Sequence, residues 1–210
     1  GKDHNGSAVL MPMMGVGTWQ YNSTVTERVV YHSLQLGVRL IDTAFVYQNQ
    51  DGVHKGILKS GVPRSEIFIL TKVPGGLSAA DTMAHHEHNL LELGVDAVDL
   101  LLTHFPCGFG DPPQNCSKAG RQATWRGLEA LYHAGKARAI GVSHYCQQHL
   151  EDVLEIATVP IAVNQQEWHV GMGTDPEGVA SFCRAHGISF QSFSPLCGPC
   201  GASALAELTS

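Results

Sequence analysis

Short apolar segments alternate with longer amphipathic segments along this chain, and this alternation constrains the fold more than any other feature. Residues 98–102, for example, are apolar enough to be buried on both faces of a sheet. Most segments with helical periodicity stop at a glycine, as helices commonly do; these glycines are Gly37, Gly61, Gly94, Gly135 and Gly187. Strands that are buried on both faces and alternate with helices form parallel sheets.

The pattern predicts an α/β protein built from repeated strand and helix units. We predict strands over residues 14–18, 39–44, 67–73, 97–104, 137–143, 161–166 and 188–193, and helices over residues 24–36, 51–60, 79–93, 123–134, 147–157 and 176–186. A small hairpin over residues 9–14, with a turn at Asn5–Gly6, is predicted to precede them.

An open doubly wound sheet is disfavoured because no G-x-G-x-x-G motif opens a helix after an early strand. The prediction is therefore a parallel (β/α)8 TIM-type barrel with a small N-terminal β-hairpin. Only seven strand units are found, so the last β/α unit is expected to be missing from the chain. Residues 1–210 are expected to form a single, C-terminally incomplete domain.

Composition excludes several classes of partner. The formal net charge is −6 and no Lys or Arg cluster forms a basic stripe, so nucleic acid is not an expected partner. No apolar run approaches the roughly 20 residues of a membrane span. The six cysteines are expected to be reduced, because a chain of this length needs no disulfide staples. We therefore expect a cytoplasmic monomer.

Three histidines lie close together on one predicted helix, at His85, His86 and His88. His85 and His88 could share a face, yet such a cluster is more often a solvated surface than a metal site. No metal is therefore expected.

Ionisable side chains occupy the ends of three consecutive predicted strands. Asp42 closes the second strand, Lys72 the third and His104 the fourth, and Tyr47 follows five residues after Asp42. Each residue alone has an ordinary structural explanation. In a barrel, however, catalytic residues come from the C-terminal ends of strands, and three such ends in a row are unusual in otherwise apolar strands. These four residues are therefore candidate catalytic residues.

The chemistry of this group points to carbonyl reduction. A phenol keeps its proton at neutral pH because its pKa is near 10. A neighbouring ammonium is expected to lower the pKa of Tyr47, and a carboxylate beside Lys72 to keep the lysine charged. The imidazole of His104 is suited to donate a hydrogen bond to a carbonyl oxygen. The group lacks an obvious nucleophile, so a cofactor that supplies hydride is expected.

The motifs around these residues resemble those of the aldo-keto reductases, in the family's order and over essentially the whole chain. The matching segments are Gly15-Val-Gly-Thr-Trp-Gln20, Leu40-Ile-Asp-Thr-Ala-x-x-Tyr47, Leu70-Thr-Lys-Val73, Leu101-Leu-x-His-x-Pro106, Gly135-Lys-x-Arg-x-Ile-Gly-Val-Ser143, Val163-Asn-Gln-x-Glu167 and Phe193-Ser-Pro-Leu196.

This resemblance implies an NADP(H)-dependent oxidoreductase that reduces aldehydes or ketones to alcohols. Tyr47 would be the general acid, Lys72 and Asp42 the pair that lowers its pKa, and His104 the group that orients the carbonyl. The cofactor-binding positions implied by the resemblance are Thr18, Trp19, Asp42, Ser143, His144, Gln165, Phe193, Ser194 and Leu196. The implied substrate-binding positions are Trp19, Tyr47, His104 and Phe105.

The chain departs from the family pattern in two places. The family usually has Asn after the serine of Gly-Val-Ser-Asn, and this chain has His144 there. The family also continues to an eighth strand, a basic segment that grips the adenosine 2′-phosphate and a C-terminal loop. The preference for NADP over NAD therefore follows from the resemblance alone.

Two other functions remain open from the sequence. Cys197-Gly-Pro-Cys200 matches the dithiol motif of thioredoxins, which suggests a thiol–disulfide redox role, although it lies late in the chain and lacks the preceding tryptophan. Alternatively, the chain is a non-catalytic cofactor-binding relative or a truncated inactive form. The intact set of Asp42, Tyr47, Lys72 and His104 argues against that alternative.

Overall fold

The computed structural model describes residues 1–108, 116–169 and 171–195. Its strands are β1 Gly15–Gly17, β2 Leu40–Asp42, β3 Phe68–Val73, β4 Val98–Thr103, β5 Ala137–Ser143, β6 Val163–Glu167 and β7 Ser189–Phe193. Its α-helices are α1 Ser23–Gln35, α2 Gln50–Ser60, α3 Ala79–Leu93, α4 Lys118–His133, α5 Gln147–Leu154 and α6 Val179–Ala185. Strand and helix therefore alternate as the sequence pattern predicts.

The seven strands form one parallel sheet in sequence order, from β1 to β7, and this sheet curls into a half-barrel. The register aligns the C-terminal ends of neighbouring strands, with Val73 opposite Thr103 and Ser143 opposite Gln165. The predicted fold class is therefore confirmed: the architecture is the strand and helix arrangement of a (β/α)8 barrel, with seven strand units in this chain.

Two apolar layers cover the two faces of the sheet. Leu70 and Leu102 pack with other inward residues inside the curl. Ile69 and Leu101, their neighbours in sequence, pack against the helices on the outside. Successive side chains of a strand point to opposite faces, so both layers draw on the same strands. All six residues of β3 and of β4 are buried as a result.

Local capping explains where the helices begin and end. The side chain of Ser78 accepts a hydrogen bond from the backbone N–H of Asp81 and starts α3. Gly94 ends α3 with φ of 63°, a left-handed conformation that glycine adopts without steric strain. Ser117 caps α4, which therefore begins at Lys118, five residues before the predicted start at residue 123.

Two predicted elements are wrong in their details. The N-terminal hairpin is an antiparallel bridge between Lys2 and Ala8 rather than a pair of strands over residues 9–14. The carboxylate of Asp3 accepts from the N–H groups of Asn5 and Ser7 and closes the turn there. The last predicted helix, over residues 176–186, begins only at Val179, because Glu177 has a left-handed φ of 59°.

The expectation that all cysteines are reduced is wrong for two of them. Cys107 and Cys116 form a disulfide, with their Cα atoms 5.0 Å apart. They lie nine residues apart in the connection between β4 and α4. Cys146 and Cys183 are free, and Cys197 and Cys200 lie outside the described residues. None of the helices in the described part of the chain has the length and apolarity needed to cross a bilayer.

Candidate active site

The four candidate catalytic residues meet at the C-terminal end of the sheet. Asp42 ends β2, Lys72 is the penultimate residue of β3, and His104 directly follows β4. Tyr47 closes a single 3-10 turn, Phe45–Tyr47, which leads out of β2. Because parallel strands deliver their C-terminal ends to one edge of the sheet, residues far apart in sequence become neighbours here.

Lys72 is buried and forms the centre of the group. Its side chain is 1% exposed and its ammonium forms an ion pair with Asp42 Oδ1. The same Nζ atom donates to the carbonyl of Thr43 at 3.1 Å and to the Tyr47 hydroxyl at 3.4 Å. Burial lowers the pKa of Lys72, but Asp42 and Tyr47 together outweigh burial and raise it. The lysine is therefore charged at neutral pH.

The environment of Tyr47 differs from the one that its sequence neighbours predict. Burial raises the pKa of the Tyr47 phenol, and the opposing effect of the Lys72 ammonium is smaller. The Asp42 carboxylate adds to the increase. Lys72 therefore acts on the Tyr47 pKa in the predicted direction, but the predicted net lowering is wrong because burial outweighs it. Tyr47 carries its proton at neutral pH.

His104 is an uncharged imidazole. Burial, followed by the nearby Lys72 charge and His144, lowers the pKa of His104 to about 2. Its ring meets the Tyr47 ring edge-on, with the centroids 5.5 Å apart. The Nδ1 atom is buried without a hydrogen-bond partner in the described residues. A neutral imidazole carries one N–H donor, so His104 can donate a hydrogen bond without bringing a second cation next to Lys72.

A network of buried amides supports this group, and the sequence reasoning did not identify it. Asn89 Nδ2 donates to the backbone carbonyl of Lys72 at 3.2 Å, and Asn89 Oδ1 accepts from Gln50 Nε2 at 2.8 Å. Gln50 Oε1 in turn accepts from the hydroxyl of Thr71 at 2.6 Å. The available signal was an amide side chain on the inward face of each helix, where an apolar residue is usual.

The predicted residue Thr18 lies beside Asp42. Thr18 is fully buried, and both its N–H and its hydroxyl donate to the backbone carbonyl of Asp42, at 3.0 and 3.2 Å. The side chain of Asn49 donates to the carbonyl of Thr18 at 2.8 Å. Trp19, next in sequence, is 56% exposed. These hydrogen bonds hold the end of β2 in place, whereas the neighbouring Trp19 side chain remains largely exposed.

A second polar cluster lies at the ends of β5 and β6. Ser143 and Gln165 are buried, and the Ser143 hydroxyl donates to the carbonyl of Gln165 at 3.0 Å. The side-chain Nε2 of Gln165 donates to Asp42 Oδ2 at 2.6 Å. The predicted cofactor position Gln165 on β6 therefore contacts the predicted catalytic residue Asp42 directly.

A row of rings connects the two clusters. Phe105 stacks on His104 with the centroids 4.6 Å apart and on His144 at 4.4 Å. On the other side of His144, the Phe193 ring lies 5.0 Å away. Ser194 follows Phe193 with a left-handed φ of 49°. The predicted residue Leu196 lies outside the described residues.

The histidines of α3 do not belong to this site. His85 and His88 both contact the ring of Phe45 edge-on. His86 is fully buried and its Nε2 bonds to the carbonyl of Lys136, so the prediction of a solvated surface is wrong for that residue. Within residues 1–108, 116–169 and 171–195, no three His, Cys, Asp or Glu side chains come together as a metal site.

Comparison with known proteins identifies the family. The model of the aldo/keto reductase family matches residues 13–203. The chain belongs to the aldo/keto reductase family. The resemblance inferred from the motifs is therefore confirmed.

The similar aldo/keto reductases include characterised reductases with different substrates. Glyoxal reductase of Bacillus subtilis is 39% identical over 197 residues, which are 93% of this chain and 66% of that protein. The 9,11-endoperoxide prostaglandin H2 reductase of Trypanosoma cruzi is 35% identical, over 92% of this chain and 64% of that protein. The chain thus spans slightly less than two thirds of the length of these relatives.

Solved structures of aldo/keto reductases share the fold. The enzyme from Brucella melitensis superposes with a TM-score of 0.82 at 32% identity, covering 93% of this chain and 72% of that one. The aldo-keto reductase of Bombyx mori, solved in complex with NADP, has a TM-score of 0.79 at 26% identity. It covers 92% of this chain and 65% of that one.

Proposed function

We propose that this chain carries the catalytic centre of an NADP(H)-dependent reductase that converts aldehydes or ketones to alcohols. The observation that carries the proposal is the continuous contact from Asp42 through Lys72 to Tyr47, with the neutral His104 beside the phenol. This combination of a protonated acid, a buried cation and a neutral donor is suited to a carbonyl whose oxygen becomes negative during reduction.

Tyr47 acts as the general acid in this proposal. Its O–H proton passes to the carbonyl oxygen, which leaves a phenolate on the tyrosine. Lys72 is fully buried, charged and 3.4 Å from the Tyr47 hydroxyl, so its ammonium stabilises that phenolate as it forms. Asp42 keeps Lys72 charged and in place through the ion pair.

His104 orients the carbonyl. Its Nδ1 atom is buried without a hydrogen-bond partner among the described residues, and we assign the carbonyl-orienting N–H to Nε2. An N–H at Nε2 is in a position to donate to the substrate oxygen beside Tyr47. Because the imidazole is neutral, it polarises the carbonyl without competing with Lys72 for the negative charge.

The residues at the ends of β5 to β7 are suited to a nicotinamide cofactor. Gln165 is 2% exposed, and its Nε2 donates to Asp42 Oδ2, so this side chain lies between the catalytic candidates and the end of β6. Gln165, Ser143 and His144 would hold the amide of the ring, with Phe193 beside it. The cofactor, when bound, supplies the hydride that reaches the carbonyl carbon. The choice of NADP(H) rests on the Bombyx mori relative, which was solved with NADP.

We propose no substrate class narrower than small aldehydes and ketones. The names of similar reductases refer to glyoxal, to a prostaglandin endoperoxide and to D-galacturonate, so they do not converge on one substrate. Trp19 and Phe105 flank the candidate site and are proposed as substrate contacts. That the protein is a cytoplasmic monomer with one domain over residues 1–210 remains a prediction.

The proposal is tested by mixing the protein with NADPH, and in parallel NADH, together with an activated aromatic aldehyde. We expect the absorbance of the reduced nicotinamide to fall while an equal amount of alcohol forms. Alcohol formation that is faster with NADPH supports the assigned cofactor. Binding of NADPH without any alcohol from a panel of aldehydes and ketones would instead favour a non-catalytic cofactor-binding protein.

A further inference from the structure

Two helices each send one buried amide side chain to the outer face of β3. Gln50 is the first residue of α2, and Asn89 lies in the second half of α3. Both are buried, as is Thr71 of β3. Thr71 directly precedes Lys72, so its side chain points to the opposite face of the sheet, toward the helices. The amides therefore lie outside the curl, behind the strand that carries the catalytic lysine.

Asn89 takes the place that a neighbouring strand would have beside Lys72. The carbonyl of Leu70 accepts from the Thr43 N–H at 2.9 Å, and the chain then turns away from the sheet into the segment of Tyr47. Carbonyls two residues apart on a strand point to the same side, so the Lys72 carbonyl lies beyond the end of β2. There Asn89 Nδ2 donates to it at 3.2 Å. The side chain of Asn89 thus holds the backbone of Lys72 where β2 no longer does.

The Lys72 carbonyl fixes the direction of every hydrogen bond in this network. A carbonyl only accepts, so the amide nitrogen of Asn89 faces it and the amide oxygen faces Gln50. Gln50 Nε2 therefore donates to Asn89 Oδ1 at 2.8 Å, which leaves Gln50 Oε1 to accept from the Thr71 hydroxyl at 2.6 Å. Because each buried group has a single role, removing one member leaves another without its partner.

The network also joins the two segments whose side chains meet in the candidate active site. Gln50 follows Tyr47 by three residues, so it anchors the end of the short turn that carries the phenol. Thr71 is the chain neighbour of Lys72, and Asn89 holds the Lys72 carbonyl. Gln50 bonds to both Thr71 and Asn89. Two side-chain hydrogen bonds therefore tie the segment of Tyr47 to that of Lys72.

The contact between these two segments is sensitive to small displacements. Lys72 Nζ lies 3.4 Å from the Tyr47 hydroxyl, near the long limit for a hydrogen bond. A shift of about 1 Å would break this contact, and misplacements of that size cost on the order of a hundredfold in rate. The anchoring of both segments therefore matters for the proposed chemistry.

We propose that Gln50 and Asn89 are positioning residues that set the distance between the Lys72 ammonium and the Tyr47 hydroxyl. This inference rests on the proposed function, in which that ammonium stabilises the phenolate of Tyr47. The two amides act through the backbone of β3 and the start of α2 rather than through contact with the reacting groups.

The test uses two substitutions of similar shape and a control from the same helix. Asn89→Leu removes the hydrogen bond to the carbonyl of β3, and Thr71→Val removes only the link between β3 and Gln50. Thr71→Val is the milder change, because valine has the shape of threonine and favours strands. Thr82→Val on α3 is the control, since the buried Thr82 hydroxyl donates to the backbone carbonyl of the helix cap and not to β3.

Single-turnover rates of aldehyde reduction are measured at saturating NADPH. We expect Asn89→Leu to lower the rate about tenfold to a hundredfold and Thr71→Val about threefold to tenfold, with NADPH affinity within about twofold of wild type. Thr82→Val should keep the wild-type rate. If Asn89→Leu does not fold, Thr71→Val decides. A wild-type rate in the folded variants, or a loss of NADPH affinity alone, excludes a positioning role.

The same substitutions in Tyr47→Phe separate positioning from a general loss of folded structure. Once the hydroxyl is gone, the position of Lys72 relative to it no longer affects the rate. Asn89→Leu and Thr71→Val should therefore change the residual rate of Tyr47→Phe by less than about twofold. An equal fractional loss in both backgrounds would mean that the amides only support the fold, and the inference would be wrong.

Crystal structures of the ligand-free proteins test the inference without turnover. In Asn89→Leu and Thr71→Val, the distance from Lys72 Nζ to the Tyr47 hydroxyl should lengthen by on the order of 0.5 to 1 Å, and in Thr82→Val it should not change. An unchanged distance in all variants would overturn the inference. If the wild-type protein reduces no aldehyde, the proposed function fails, whereas these distances still decide whether the network sets the geometry.

Discussion

The two ends of the curled sheet both bury charged groups, but they use them differently. At the N-terminal end, Asp99 is saturated: Oδ2 accepts from Arg64 at 2.8 Å and from the N–H of Ile69 at 2.9 Å, and Oδ1 accepts from Arg138 at 2.8 Å. At the C-terminal end, Asp42 is also paired on both oxygens, yet the groups around it retain unused hydrogen-bonding atoms.

The two ends of the sheet therefore have different roles: the N-terminal end stabilises the fold, and the C-terminal end carries the proposed chemistry. Asp99 ties the start of β4 to β3 and β5, and no atom of its carboxylate remains for a ligand. At the other end, by contrast, His104 Nδ1 has no hydrogen-bond partner among the described residues.

The largest expected effect is a loss of activity, caused by a substitution at the C-terminal end of the sheet. Lys72→Met removes the ammonium that stabilises the Tyr47 phenolate and keeps an unbranched side chain in place. We expect kcat/KM for aldehyde reduction to fall by on the order of a thousandfold or more, in line with the loss of a positioned acid catalyst. Steady-state kinetics at saturating NADPH make the measurement. A loss of less than tenfold would remove Lys72 from the mechanism.

The matching change at the N-terminal end should affect stability instead. Asp99→Asn leaves Arg64 and Arg138 without their carboxylate, although both guanidinium groups are partly exposed and so partly solvated. We expect the free energy of unfolding to fall by about 2–3 kcal/mol. Urea denaturation measures it, and kcat per folded molecule should stay within about twofold of wild type. A large loss of kcat in the folded variant would contradict the separation of the two ends.

A smaller effect on stability is expected from pH, through His86. Burial lowers the pKa of His86 in the folded protein from 6.5 to about 4, so below pH 6.5 the unfolded chain binds a proton that the folded chain excludes. The contribution is complete above pH 6.5 and is lost as the pH falls toward 4. We expect His86 to account for about 1–2 kcal/mol of the stability lost between about pH 7 and pH 5. Denaturation of His86→Gln at both pH values should show a correspondingly smaller decrease, and an equal decrease would exclude His86 as the source.

The smallest effect is expected in the pH profile of reduction. The pKa of Tyr47 is raised above 10, so the phenol stays protonated through neutral pH and loses its proton only in strong alkali. The rate should therefore vary less than about twofold between roughly pH 6 and pH 9, and decrease at higher pH. Single-turnover rates at saturating NADPH give the profile. A decrease centred near neutral pH would show that the bound state lowers the Tyr47 pKa after all.

The sequence predicted the positions of the catalytic candidates because those positions depend on local pattern. Asp42, Lys72 and His104 each end an apolar run, and the parallel arrangement brings such ends together. The direction of the Tyr47 pKa was predicted wrongly because it depends on how deeply the folded chain buries the phenol.

Contacts across the curl were not predictable in the same way. Gln165 and Asp42 are 123 residues apart, and His144 and the His104 carbonyl are 40 apart. Their meeting depends on the curvature of the whole sheet, which no local pattern encodes. The disulfide between Cys107 and Cys116 was not predicted either, because the spacing of two cysteines in the sequence does not show whether they pair.

Tyr47→Phe tests the central claim most directly, because it removes one hydroxyl group from the C-terminal end and little else. NADPH affinity and aldehyde turnover are measured on the same sample, with Tyr31→Phe on α1 as the matched control. We expect Tyr47→Phe to bind NADPH within about threefold of wild type while turnover falls at least about a hundredfold. Tyr31→Phe should retain both. Turnover by Tyr47→Phe at the wild-type rate would contradict the assignment of Tyr47 as the proton donor.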